Sequence, residues 1–112
     1  MKIRVIIPCF NEGKVVKKTY DRLTEILREN SKTRRYYYDL LFIDDGSKDN
    51  TIEHIQNLAE YDEHVKYISF SRNFGKEAAM IAGFQYSVNF DAVVMIDGDL
   101  QHPPEFIPKM IE

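Results

Sequence analysis

Four short apolar runs, separated by segments with helical spacing, limit what this chain can fold into. The runs are rich in Val and Ile and are apolar at consecutive positions, which is typical of strands buried on both faces of a parallel sheet. We place these strands at residues 3–7, 39–43, 65–70 and 92–96, with Pro8 ending the first. A chain with this pattern is expected to form a layered α/β structure.

The segments between the runs predict helices. Residues 14–29 carry apolar residues at helical spacing and predict an amphipathic helix, followed by a basic loop over residues 31–35. A second helix begins near Asn50, which together with Glu53 resembles a capping pair, and a third covers residues 76–86. The βαβα alternation predicts a doubly wound, mainly parallel sheet with helices on both faces, a Rossmann-like α/β fold.

Composition narrows the class of protein. The chain has 112 residues, of which 44% are hydrophobic and 29% charged, with a net charge of −3. These values exclude a disordered, collagen-like or coiled-coil chain and fit one domain or part of one. The single cysteine, Cys9, excludes an internal disulfide and a multi-cysteine metal site, and we expect it to be a small buried residue. The acidic balance gives no support for a nucleic-acid partner.

A polar cluster follows each predicted strand, and the carboxyl ends of parallel strands meet at one edge of a sheet, where ligands bind. The clusters bring five acidic residues to this edge, Glu12, Asp44, Asp45, Asp97 and Asp99, together with Arg72 and Lys76 after the third strand. Asp97 and Asp99 flank a glycine, and with Gln101 they offer the oxygen ligands that Mg²⁺ or Mn²⁺ prefers. The edge therefore predicts a site for a divalent cation and a diphosphate, with the basic residues facing the phosphates.

Other classes of protein share parts of this pattern. A receiver-like phospho-acceptor domain has its acidic pair after the first strand, whereas here the pair follows the second. A phosphatase with an Asp-x-Asp nucleophile has that motif after the first strand, whereas here it follows the fourth. A non-catalytic nucleotide-binding module would show the same donor-side residues and would bind nucleotide without turnover. The chain has no Gly-x-Gly-x-x-Gly and no P-loop after its first strand, so dinucleotide dehydrogenases and P-loop NTPases lose support.

Four ordered motifs resemble the family 2 glycosyltransferases with the GT-A fold. They are IIPCFNE at residues 6–12, FIDDGSKDNT at 42–51, SRNFGK at 71–76 and DGDLQHPP at 97–104. The last two are similar to those of the polyprenyl- and dolichyl-phosphate glycosyltransferases. The resemblance implies an inverting, metal-dependent enzyme that moves a sugar from a nucleotide-diphosphate sugar to a polyprenyl phosphate. It favours a UDP-sugar over GDP-mannose as the donor and Mg²⁺ or Mn²⁺ as the cofactor.

The resemblance also implies roles for individual residues. The nucleotide-binding set is Pro8, Phe10, Glu12, Asp45, Arg72, Lys76 and Asp97. Asp97 and Asp99 would be catalytic, Asp99 and Gln101 would be the metal ligands, and Asp44 would support the site. The cation would neutralise charge on the departing nucleoside diphosphate. A lipid phosphate, with its second pKa near about 6, is largely ionised at pH 7 and needs little help from a base.

Catalytic domains of that family are considerably longer than this chain. We therefore expect residues 1–112 to be the N-terminal, nucleotide-sugar-binding part of a GT-A domain, truncated before the acceptor-binding half and inactive alone. The full-length protein is expected to act at the cytoplasmic face of the cell membrane through a missing C-terminal segment, whereas this part is expected to be soluble. Uncovered apolar surface is expected to allow a homo-oligomer.

Overall fold

The computed structural model describes residues 1–96, which form one parallel sheet with helices on both faces. The elements in chain order are β1 (Lys2–Cys9), α1 (Val16–Arg34), β2 (Tyr37–Asp44), α2 (Thr51–Tyr61), β3 (Val65–Ser69), α3 (Lys76–Gln85) and β4 (Ala92–Met95). The strand order is β3-β2-β1-β4, and all three described strand pairs are parallel. The doubly wound α/β fold predicted from the alternation of apolar runs and helices is confirmed.

Alternate residues of β1 point into two apolar layers. Val5 and Ile7 belong to the larger cluster, which includes Leu23 of α1 and Ile55 of α2. Ile6 belongs to the smaller cluster on the other face, whose other fully buried members are Leu41, Ile43 and Ala79. The first two crossover helices, α1 and α2, therefore cover one face of the sheet, and α3 covers the other. The strand order reverses beside β1, between β1 and β4. Ligands of such sheets bind at this reversal, beyond the carboxyl ends of the strands.

β1 continues past Pro8, where we expected it to end. Pro8 pairs in register with Ile43 of β2, and the pairing extends to Cys9 and Asp44. The register with β4 stops at Ile6, so the proline lies beyond that ladder. A proline lacks the N–H that a ladder needs, and a position beyond the pairing with one neighbour tolerates this loss.

α1 is also longer than predicted, because residues 31–34 belong to the helix rather than to a loop. The helix ends at Arg35, which adopts a left-handed backbone with a φ of 58° and donates its N–H to the carbonyl of Ser31. Lys32 and Arg34 lie in the last turn, where cations interact favourably with the helix dipole. Lysine and arginine have good helix propensity, so a basic segment can continue a helix as readily as it forms a loop. The loop predicted from the charge of residues 31–35 was therefore wrong for residues 31–34.

Candidate functional site

The loops after β1 and β2 lie side by side at the carboxyl edge of the sheet and are hydrogen-bonded to each other. The backbone N–H of Asn11 donates to Ser47 Oγ at 2.8 Å, and Asn11 Oδ1 accepts the N–H of Lys48 at 2.9 Å. The N–H of Glu12 donates to Thr51 Oγ1 at 2.9 Å. The first two predicted polar clusters therefore meet at one edge, as expected.

Asp49 ties the start of α2 to the first loop. Its Oδ1 accepts the N–H of Thr51 at 2.9 Å and also the hydroxyl of Thr51, while its Oδ2 accepts the N–H of Gly13 at 3.2 Å. The hydrogen bond from the Thr51 side chain is the main reason why the pKa of the Asp49 carboxyl lies below its ordinary value. Asn50 makes no side-chain capping bond, so the predicted Asn50–Glu53 capping pair is wrong.

Two adjacent carboxylates, Asp44 at the end of β2 and Asp45 directly after it, are both buried. Asp44 is 2% exposed, and its Oδ1 accepts the N–H of Ser47 at 3.2 Å. This bond shapes the turn through Gly46, consistent with the supporting role expected for Asp44. Asp45 is 5% exposed, and its backbone N–H donates to the carbonyl of Cys9 at 2.9 Å, which extends the β1–β2 ladder to the edge.

The Asp45 carboxylate holds the loop that joins β3 to α3. Its Oδ1 accepts the N–H of Phe74 at 2.8 Å, and its Oδ2 accepts the N–H of Gly75 at 3.1 Å. The side-chain amide of Asn73 donates to the same Oδ2 at 3.0 Å and to the Asp45 carbonyl at 3.1 Å. Because four donor contacts from three consecutive residues converge on Asp45, the conformation of this loop depends on it.

Gly46 brings the second and third loops into backbone contact. Its φ is 70°, a left-handed conformation that favours glycine. A Cβ at this position would lie 2.2 Å from the carbonyl carbon of Arg72 and 2.3 Å from the nitrogen of Asn73. No side chain fits between the two loops, so the glycine of the Asp-Asp-Gly-Ser motif is required by packing as well as by the turn.

The structure places the predicted nucleotide-binding residues at this edge with different exposures. Pro8 and Glu12 are partly buried, and Phe10 is 42% exposed. Arg72 is exposed, and its guanidinium carbon lies 4.7 Å from the centre of the Phe74 ring, a cation–π contact that directs it along the loop. Lys76 is the first residue of α3. The remaining predicted site residues, Asp97, Asp99 and Gln101, lie outside the described residues.

The thiol of Cys9 lies beneath the site and takes no part in it. The residue is 2% exposed, and its Sγ lies 3.6 Å from the carbonyl oxygen of Ile7. Burial raises the pKa of the thiol, and the neighbouring carboxylates of Glu12 and Asp44 raise it further. A thiol that stays protonated is unreactive, so Cys9 packs as a small apolar residue, as expected.

Within residues 1–96 no group of three or more His, Cys, Asp or Glu side chains could hold a metal ion. Asp44 and Asp45 are adjacent carboxylates at this edge, and Asp44 Oδ1 and both Asp45 oxygens accept hydrogen bonds from the loops. These residues therefore do not supply a cation site by themselves, and the expected metal ligands Asp99 and Gln101 lie outside the described part.

Within residues 1–96 no helix is both long enough and apolar enough to cross a membrane.

Sequence reasoning missed two asparagines that organise the edge. Asn11 has a φ of 53°, a left-handed backbone that asparagine tolerates better than most residues, and it bridges the first two loops. Asn73 bridges the second and third. The available signal was an asparagine in a strand-end loop two residues before a glycine, where its short amide can bond to backbone.

In this chain the strand-end loops are joined where the strand order of a parallel sheet reverses. This arrangement is typical of the α/β proteins that bind ligands at this edge. The model of the family described as "Glycosyl transferase family 2" matches residues 4–112. The chain therefore belongs to glycosyl transferase family 2 and is a member of an enzyme family. The support for a receiver-like domain or an Asp-x-Asp phosphatase is removed.

Relatives and solved structures agree with this assignment. CsbB of Bacillus subtilis (strain 168), whose name places it among the glycosyltransferases, is 47% identical over 110 residues, covering 98% of this chain and 32% of its own length. The bactoprenol glucosyl transferase of Shigella phage SfX is 44% identical over 112 residues, covering all of this chain and 35% of its own length. The chain thus spans about a third of the length of these relatives.

Among solved structures, the mannosyltransferase PcManGT from Pyrobaculum calidifontis, in complex with GDP-Man and Mn²⁺, superposes with a TM-score of 0.72. The two sequences are 21% identical, and the match covers 87% of this chain and 27% of that one. At this level of identity the similarity concerns the fold, and it confirms the GT-A architecture expected from the motifs.

Proposed function

We propose that this chain is the nucleotide-sugar-binding part of an inverting glycosyltransferase that transfers a sugar to a polyprenyl phosphate. The observation that carries the proposal is the joined set of strand-end loops at the reversal of strand order, in a chain that family 2 matches over residues 4–112. The name of the bactoprenol glucosyl transferase, 44% identical over 112 residues, supports a polyprenyl-phosphate acceptor.

The donor side of the proposed site is built from the first three loops. In this proposal Pro8, Phe10 and Glu12 line the pocket for the base and ribose together with Asp45. Arg72 and Lys76 supply positive charge to the diphosphate, Arg72 as a fork of donors and Lys76 as a point charge. We favour a UDP-sugar over GDP-mannose. The GDP-Man complex of PcManGT, whose similarity concerns the fold, leaves the choice of base to experiment.

The catalytic and metal-binding roles are assigned to the fourth motif. We propose Asp97 and Asp99 as catalytic residues, with Asp99 and Gln101 holding Mg²⁺ or Mn²⁺. The presence of Mn²⁺ in the PcManGT complex is consistent with this choice. A bound cation supplies positive charge that stabilises the departing nucleoside diphosphate. The acceptor phosphate, already ionised at neutral pH, attacks the anomeric carbon from the opposite face.

In this proposal, the acceptor-binding half and the contact with the cytoplasmic face of the membrane belong to a longer polypeptide that includes residues 1–112. The test is a transfer assay on that polypeptide with UDP-glucose or GDP-mannose, Mn²⁺ and a polyprenyl phosphate. We expect a lipid-linked sugar from one donor, with the anomeric configuration inverted, and loss of the product in Asp99→Ala. Nucleotide binding without transfer would instead identify a non-catalytic binding module, and unchanged turnover of Asp99→Ala would contradict the metal assignment.

A further inference from the structure

The loop between β3 and α3 is exposed above the sheet but is fixed from below by buried groups. Arg72, Asn73 and Phe74 are exposed. Their anchor, the Asp45 side chain, is buried and accepts three hydrogen bonds, one on Oδ1 and two on Oδ2. An ionised carboxylate accepts stronger hydrogen bonds than a neutral oxygen, so this anchor is well suited to hold a loop against solvent.

Asn73 closes the arrangement from the other side. Its amide nitrogen donates both to the Asp45 carboxylate, at 3.0 Å, and to the Asp45 carbonyl, at 3.1 Å. One side chain therefore binds one residue at two points, which fixes the direction in which the loop leaves β3. The backbone contact at Gly46, where a Cβ would lie 2.2 Å from the carbonyl carbon of Arg72, leaves no room for the loop to shift toward β2.

We propose that Asn73 is a positioning residue for the nucleotide donor and that it acts through Asp45. The pair holds residues 71–75 so that Arg72, within this loop, and Lys76, the first residue of α3, meet the donor phosphates. This inference rests on the proposed function. Neither the resemblance nor the family match assigns a role to Asn73.

Asp45 also links the loop to the bound nucleotide. A carboxylate offers about four lone-pair positions, and the loop uses three of those of Asp45. The remaining position is on Oδ1, so Asp45 accepts one donor from the base or ribose while it still holds the loop. Loss of Asn73 therefore weakens donor binding in two ways, by releasing Arg72 and by loosening the carboxylate that contacts the nucleoside.

The test compares variants of Asn73 in the longer polypeptide, by donor KM, kcat and amide hydrogen exchange. Asn73→Ala removes both donor contacts, and because Asn73 is exposed the core stays intact. We expect the donor KM to rise about tenfold, the size typical of a lost hydrogen bond to a charged group, with kcat within about twofold. The amide protons of Phe74 and Gly75, which bond to Asp45, should exchange faster.

A matched control separates positioning from general destabilisation. Asn30→Ala also removes an asparagine side chain that makes a hydrogen bond, here from the hydroxyl of Tyr36 to Asn30 Oδ1 at 2.6 Å near the C-terminal end of α1. We expect this variant to lose stability without a change in donor KM. A similar rise in KM for both variants would overturn the positioning role.

A double-mutant cycle tests the direct contact between the two side chains. Asn73→Asp places a second carboxylate against Asp45 and should raise the donor KM more than Asn73→Ala does. Combined with Asp45→Asn, the effects of the two substitutions on the donor KM should be non-additive, because both change the same contact. Additive effects would contradict direct action of Asn73 on Asp45.

The wild-type protein distinguishes the two levels of failure. If the wild type neither binds nucleotide nor transfers sugar, the proposed function is wrong and the positioning role falls with it. If the wild type is active and Asn73→Ala leaves the donor KM and the exchange of the Phe74 and Gly75 amides unchanged, only the positioning role is wrong.

Discussion

Gly46 shows how one residue fixes the spacing of two functional loops. The motif Asp-Asp-Gly-Ser predicts a turn from sequence, but its glycine also faces the backbone of Arg72 and Asn73. Contacts of this kind join residues distant in sequence, so no local pattern reveals them. The sequence therefore predicted that a loop follows β2 and could not predict what that loop touches.

We predict that Gly46→Ala destabilises the protein more than Gly75→Ala. Both glycines have a positive φ, 70° and 100°, so both substitutions carry backbone strain of roughly 1–3 kcal/mol. Only at position 46 would the new Cβ also overlap backbone, since nothing lies within 4 Å of a Cβ at position 75. The measurement is the free energy of unfolding in urea for both variants. Equal losses would contradict the close approach of the two loops.

Tyr20 stabilises the folded state, and this contribution is lost at strongly alkaline pH. Its hydroxyl donates to Asp62 Oδ2 at 2.6 Å, and burial, together with this carboxylate, raises the pKa of Tyr20 from 10.0 to about 12. The folded state thus favours the protonated phenol. The stability this provides is fully present below pH 10, and it is lost as the pH rises through about 12.

We predict that the wild type loses stability between pH 10 and 12 more steeply than Tyr20→Phe. The variant lacks both the hydroxyl that titrates and its hydrogen bond, so it should be less stable than the wild type by about 1 kcal/mol below pH 10. Urea unfolding at a series of pH values measures both effects. Parallel pH profiles for the two proteins would show that folding does not change the pKa of Tyr20.

At the scale of elements, the sequence predicted which segments are strands and helices better than where they end. Apolar runs and helical spacing indicate which residues are buried, and the buried residues lie mainly in the middle of each helix or strand. The ends depend on hydrogen bonds to neighbouring segments. Pro8 stays within β1 because β2 continues beside it. α2 begins with a hydrogen bond from the N–H of Thr51 to the Asp49 carboxylate rather than with a capping pair.

We predict that Asp49→Ala costs about 1 kcal/mol of stability, the typical value for a lost helix cap, whereas Asn50→Ala costs little. Asp49 accepts N–H groups from both Thr51 and Gly13, and Asn50 makes no side-chain capping bond. Because the folded pKa of Asp49 is lowered, its contribution is present above pH 3.8 and is lost as the pH falls through the folded value. Urea unfolding at pH 7 and pH 3 measures both; a larger loss for Asn50→Ala would contradict the capping assignment.

The opposite end of the sheet is held by a buried ion pair between paired residues of β1 and β2. Arg4 Nε and Nη2 each donate to an Asp39 oxygen at 2.7 Å. Arg4 Nη1 also donates to the carbonyl of Tyr86 at 2.6 Å, and the guanidinium lies 4.1 Å from the centre of the Phe90 ring. One arginine thus joins two strands to the segment between α3 and β4.

We predict that Arg4→Met costs about 3–5 kcal/mol, because it leaves the Asp39 carboxylate buried without its partner. The double variant Arg4→Met, Asp39→Leu should recover most of this loss, since replacing a buried pair by apolar residues is often nearly neutral. Unfolding free energies of the single and double variants test the coupling. A double variant as unstable as the single one would show that Arg4 acts mainly through Tyr86 and Phe90.

For the whole molecule, alternating apolar runs were sufficient to predict a parallel doubly wound sheet and the edge where its loops gather. The third loop joined the first two as expected, and the fourth cluster lies outside the described residues. The hydrogen bonds among the loops could not be predicted, because they depend on how strands 25 to 89 positions apart are aligned in register. The sequence thus predicted where the candidate site lies in the fold, but only part of the contacts within it.

The measurement that tests the central claim most directly is a thermal melt of this chain with Mn²⁺ and either UDP, GDP or no nucleotide. A ligand present at about 100 times its Kd that binds only the folded state adds about 2.7 kcal/mol, which raises the Tm by several degrees. We expect one nucleotide to give this shift, and only with the metal present. A cooperative melt whose midpoint stays the same with either nucleotide, with or without Mn²⁺, would contradict a donor site at the carboxyl edge of this sheet.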